Sequence, residues 1–148
     1  MAVGGSCAVS GRGTNMGAWS TGNFDNDDAL DWLDDLCESN EQGAIRAALQ
    51  VVVDWPENEN LEAIDCCCAL AAAEMIAAAL GQPADDIPEE AEEWIDRNGP
   101  EVRPDEITLA KNAIRRIRTN SELRQLWEEA DALEEWMDAV QDLENRLP

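Results

Sequence analysis

The 148 residues are enough for one domain with a real core, but 33 Asp and Glu stand against 10 Lys and Arg, a formal net charge of −23. That balance disfavours direct binding to a nucleic-acid backbone, which needs a surplus of cations. Histidine and tyrosine are absent, which removes Ser-His-Asp and Cys-His catalysis, the usual general base near neutral pH and the commonest zinc ligand.

In chain order, residues 1–15 are small, rich in Gly and Ser, and uncharged except for Arg12. They lack the basic and long apolar regions of a signal peptide. They read as a disordered tail, or as sequence upstream of a true start at Met16, and residues 16–148 read as a single all-α domain. The spacing predicts a first helix capped by Asp25 or Asn26 and running to about Glu38, with Ala29, Leu30, Leu33, Leu36 and Cys37 inward and Trp32 at the edge. Asp27 and Asp28 in its first turn suit the helix dipole. A second helix covers about 41–53, with Ile45, Ala48, Leu49 and Val52 inward. Its Val51–Val53 end is open to a short extended piece, and Pro56 stops it.

A third helix is predicted over 61–80. Leu61, Ile64, Cys66 to Cys68, Leu70, Met75, Ile76 and Leu80 sit among eight alanines, leaving almost no polar face beyond the first turn, and a helix apolar all round is buried. The 66–80 stretch is interrupted by Glu74 and is too short to span a bilayer, so no membrane role is expected. Pro88 opens a fourth helix ended by Gly99-Pro100, and Pro104 opens a fifth to about Arg118 carrying Ile107, Ala110, Ile114 and Ile117. Ser121 caps a short sixth helix, and a seventh over 132–147 aligns Leu133, Trp136, Met137, Val140, Leu143 and Leu147. The fold class is therefore all-α, a single-domain bundle of six to seven helices around the Ala-rich helix.

Four features invite a functional reading. Trp19 and Phe24 are too apolar for open solvent. They read as a plug on the bundle, with the alternative of an aromatic anchor in a binding surface shared with Asp25, Asn26, Asp27 and Asp28. Asn23, Asp25 and Asp27 start like a calcium loop, but Asp28 replaces the glycine of the sixth position and Asp34 the bidentate Glu of the twelfth, so no metal site is assigned. Glu74, midway along the most buried helix, needs a partner: loop amides near Gly22, the Trp19 indole, Arg46 or Arg115. Residues 97–124 hold seven basic against four acidic side chains, a local net of +3 in an otherwise acidic chain. Lys111, Arg115 and Arg118 share a helix face there, set to meet acidic helices of the same molecule or else an anionic ligand or acidic partner. The five cysteines (7, 37, 66, 67 and 68) form no CxxC pair. Three in succession on a helix fan out at roughly 100° steps and cannot converge on one metal, so they read as small buried residues of a reducing cytosol.

The run Met16-Gly17-Ala18-Trp19, Gly22, Phe24, Asp25-Asn26-Asp27 resembles the opening of the domain of unknown function 4259 family, Met-Gly-Ala-Trp-Gly-x-Gly-x-Phe-(Asp/Glu)-Asn-Asp. It departs at Ser20, where the family carries glycine. Ala72-Ala73-Glu74-Met75-Ile76-Ala77-Ala78 with Gly81 and Pro83, Ser121-Glu122-Leu123 with Leu126-Trp127, and Trp136 with Asp142-Leu143 and Arg146-Leu147 extend the resemblance over about residues 16–148. It implies a shared helical fold and a small bacterial protein, and it supplies no activity.

From size, charge and missing catalytic residue types, the expected role is a cytoplasmic, non-catalytic protein-interaction module of inhibitor or immunity type. It would be monomeric or weakly associating, without cofactor, and would offer an acidic surface to a basic protein partner. The alternatives are a metal-dependent enzyme using carboxylates such as Asp27, Asp31 and Glu74, and a surface merely adapted to high salt or to a GC-rich genome.

Overall fold

A computed structural model describes residues 23, 24, 26–39, 43–84 and 87–148. Among them are seven helices and no strand: α1 (Asp27–Ser39), α2 (Gly43–Asp54), α3 (Ala63–Ala79), α4 (Glu89–Asn98), α5 (Pro104–Thr119), α6 (Glu122–Glu129) and α7 (Leu133–Arg146). The all-α bundle expected from the periodicity is what forms, and each boundary falls close to its cap or proline signal. Residues 1–22 lie outside the described residues, and with them the tail and the Met16 start.

α3 is the axis of the bundle and touches each of the other six helices. From Ala69 to Ala77 every side chain is buried. The alanines permit this, because small side chains let neighbouring helices approach closely from all sides. Around α3 lie one-sided helices: α2 buries Ile45, Leu49 and Val52, α5 buries Leu109, Ala110, Ala113, Ile114 and Ile117, and α7 buries Trp136, Val140 and Leu143. Trp94 of α4 and Trp136 of α7 are among the largest fully enclosed side chains.

Val51–Val53 is helical, so the expected second helix runs to its end without the extended alternative. Three side chains expected inward are not. Ile64 is 56% exposed, because the first turn of α3 buries Ala63, Cys66 and Cys67 and Ile64 is rotated about 100° from Ala63, off that face. Leu30 and Leu80 are also exposed. Leu30 is rotated about 100° from Ala29, off the narrow stripe of Ala29, Leu33 and Leu36 that α1 buries.

The connections are held by directed hydrogen bonds. Ser121 Oγ accepts from the Arg124 N–H at 3.1 Å and donates to the Ile117 carbonyl at 2.7 Å, so one hydroxyl caps α6 and ties it to the end of α5. Glu122 Oε1 accepts the Ala63 N–H at 2.8 Å, satisfying one of the open donors at the start of α3. Gly99, at φ 51°, ends α4 in the left-handed conformation that suits glycine.

Candidate functional site

The acidic opening of the domain is partly consumed by folding. Phe24 is 3% exposed and belongs to the core, inside the bundle rather than on a surface a partner meets. Asn26 is the cap of α1: its Oδ1 accepts the Ala29 N–H at 2.8 Å. Asp27 and Asp28 are half-buried in the first turn. Trp19 and Asp25 lie outside the described residues.

Glu74 is 2% exposed and is held by groups other than the arginines the sequence suggested. Arg146, from the last turn of α7, donates Nη1 to Glu74 Oε1 at 2.8 Å and Nη2 to Oε2 at 2.9 Å, a bidentate pair. Asn23 adds Nδ2 to Oε2 at 2.8 Å. The hydrogen bonds to Glu74 come first among the causes that raise the Arg146 pKa, keeping the guanidinium charged. Arg46 instead pairs with Asp105 at 2.9 Å, and Arg115 lies near Glu144. Glu74 is thus a buried tie joining the opening motif, the central helix and the C-terminal helix. This leaves no free carboxylate for chemistry at that position.

The basic strip divides. Arg118 is bound to Glu144 at 2.6 Å and to Gln141 at 3.0 Å, as an inward-facing strip requires. Arg115 is only 3.8 Å from the same Glu144 and is 60% exposed. Lys111 is half-buried and makes no ion pair among the described residues.

The unspent charge lies on α1 and α4, which pack side by side. Cys37 of α1 reaches the Glu90 carbonyl at 3.8 Å, and Glu90, Asp34 and Glu93 are close enough to act on its thiol. Asp31, Asp34, Asp35 and Glu38 are exposed on α1, and Glu89, Glu90, Glu92, Glu93 and Asp96 on α4. On α4, Glu89, Glu92, Glu93 and Asp96 stand at i, i+3, i+4 and i+7 and line one groove of about 290 Å³, floored by Ala78, Pro83 and Ile95. None of the four makes an ion pair among the described residues. Like charges at these spacings repel along the helix, while Glu89 and Glu92 lie in the first turn, where the helix dipole favours them. The helical spacing of these four carboxylates is visible in the sequence alone. The groove itself depends on where the end of α3 lies.

Three of the described thiols are held in the protonated form. Burial pushes Cys66 up to about 12, and burial followed by the nearby Asp28, Asp65, Asp31 and Asp35 pushes Cys68 up to about 12. Cys37 is raised too, first by burial and then by Glu90. No group of three or more Cys, Asp or Glu among the described residues is placed to hold a metal ion. No helix among them is long and apolar enough to cross a membrane.

A model of the family described as "Domain of unknown function (DUF4259)" matches residues 17–139. No curated protein and no solved structure matches the chain.

Proposed function

We propose, for a chain that belongs to the domain of unknown function family DUF4259, a non-catalytic role as a protein-interaction module of inhibitor or immunity type, which presents the acidic α1–α4 face to a basic partner. The observation that carries this reading is the stripe of Glu89, Glu92, Glu93 and Asp96 along the α4 groove. Its mutual repulsion is relieved when Lys or Arg side chains enter. The net charge of −23 also speeds the encounter with a cationic protein, an effect that weakens with salt. The apolar floor of the groove gives such side chains a surface for their aliphatic stems.

The test is capture from bacterial lysate on the immobilised protein, with mass spectrometry of what is retained across a salt series. The expected result is a small set of basic proteins that bind at low salt, elute as salt rises, and bind again as purified components. A background that does not respond to salt, with no partner surviving purification, overturns the proposal.

A further inference from the structure

A second concavity carries the opposite charge. Between the end of α2 and the outer side of α5 lies a cleft of about 350 Å³, walled by Val53 and Trp55 on one side and by Asn112, Arg115 and Arg116 on the other. Arg116 spends its donors on neutral oxygens: Nε on the Asn120 carbonyl at 3.0 Å, Nη1 on that of Trp55 at 3.0 Å, and Nη2 on those of Pro56 at 3.1 Å and Glu59 at 2.8 Å. Its guanidinium is therefore fixed in place, and no carboxylate among the described residues pairs with it. Arg115 is 60% exposed: its Nε lies 3.8 Å from Glu144 Oε2, while Arg118 holds Oε1 of the same carboxylate at 2.6 Å, and Arg115 Nη1 donates to Asn112 Oδ1 at 3.4 Å. Arg97, Arg103 and Lys111 also make no ion pair among the described residues; what Arg115 and Arg116 add is a concave apolar wall, Val53 and Trp55, beside the charge.

We infer that this cleft binds a small organic anion, with a carboxylate or phosphate head on Arg115 beside Asn112 and an aromatic or aliphatic body against Trp55 and Val53. The guanidinium fork matches two oxygens of such a head. The cleft volume falls in the range of small-molecule sites. Glu57 also lines the cleft and repels a second negative group, so the ligand carries its charge at one end. The site is separate from the acidic α4 groove and does not depend on the role proposed for it.

The reporter is the Trp55 indole N–H, which is buried without an acceptor. It is one of six indole signals in a ¹⁵N–¹H spectrum and is assigned by its loss in Trp55→Phe. The probes are phenyl phosphate and benzoate, with inorganic phosphate and benzyl alcohol supplying the head and the body alone. A saturable shift of the Trp55 signal by either whole probe is expected, with half-saturation near 1 mM, about −4 kcal/mol. Each fragment alone should bind at least about tenfold more weakly, and Arg115→Gln should weaken the whole probe about tenfold, near 1.4 kcal/mol. Arg97→Gln, which lies outside the cleft, should leave binding unchanged in an otherwise native spectrum. The inference is overturned by equal shifts from benzyl alcohol and phenyl phosphate, by undiminished binding to Arg115→Gln, or by the absence of a saturable shift with either whole probe.

Discussion

Removing Arg146 should injure this protein far more than removing any other arginine. Its side chain is 14% exposed and Glu74 is 2% exposed, at a separation of 2.8 Å. Arg146→Met strands a carboxylate inside the bundle, and breaking one side of a buried pair costs about 3–5 kcal/mol. That is a large part of the roughly 5–15 kcal/mol that holds a domain folded. The further bonds of Arg146, to Asp142 at 2.9 Å and the Gln82 carbonyl at 3.1 Å, lie at the exposed end and add little. Glu74→Met should cost less, about 2 kcal/mol, because Arg146 keeps access to solvent while Asn23 Nδ2 loses its acceptor. The double variant Glu74→Met/Arg146→Met removes both charges and should cost only about 1–2 kcal/mol, since an apolar pair of similar volume replaces a buried ion pair at little loss. Urea unfolding of the four proteins at neutral pH gives the coupling energy, expected at about 3–6 kcal/mol from these losses. Single-variant losses that simply add, or an Arg146→Met loss below about 1 kcal/mol, would refute the reasoning.

Three further outcomes are expected. Ser121→Ala removes a cap and orphans a buried carbonyl contact, and should cost about 1–2 kcal/mol in thermal or urea unfolding. Asp96→Asn relieves repulsion from Glu92 and Glu93 near the C-terminal end of α4, and should stabilise by about 0.5 kcal/mol at low salt, with the gain fading as salt is added. Cys66 and Cys68, raised to about 12 in the fold, should resist a thiol reagent at about pH 8 until the protein is unfolded. The folded form keeps these protons where the unfolded chain releases them. Their contribution to stability is therefore complete below the unfolded value of about 8.5 and is lost as pH rises toward 12, a decline that Cys66→Ala/Cys68→Ala should reduce.

The bundle could be read from the sequence because its signals are local. Pro104 at the start of α5, Ser121 before α6 and Gly99 after α4 each fix a helix end with a few neighbouring residues. The missing polar face of the Ala69–Ala77 segment marks α3 as the centre without knowledge of its neighbours. The failures are tertiary. The partner of Glu74 lies 72 residues away, and nothing in the spacing of α7 separates Arg146 from the other arginines. Arg116 binds four carbonyls, which have no side-chain pattern to detect. Ile64 lies in an apolar stretch but on the side of the first turn of α3 that faces away from the buried Ala63, Cys66 and Cys67. For the acidic groove, the spacing of Glu89, Glu92, Glu93 and Asp96 was visible, while its floor of Ala78 and Pro83 required the fold.

Acidity of the α4 groove and net charge of the whole chain are two separable ways to attract a basic partner. Affinity for a captured partner separates the two when measured on two variants of equal charge. One is neutralised in the groove, as Glu89→Gln/Glu92→Gln/Glu93→Gln/Asp96→Asn. The other is neutralised on exposed acids elsewhere, as Glu129→Gln/Glu134→Gln/Glu135→Gln/Asp138→Asn. If the groove is the contact surface, the groove variant loses at least about tenfold in affinity, near 1.4 kcal/mol, while the second variant binds almost as the parent does. Equal losses in both would show that the partner senses only the charge of the chain and would contradict the assignment of the groove.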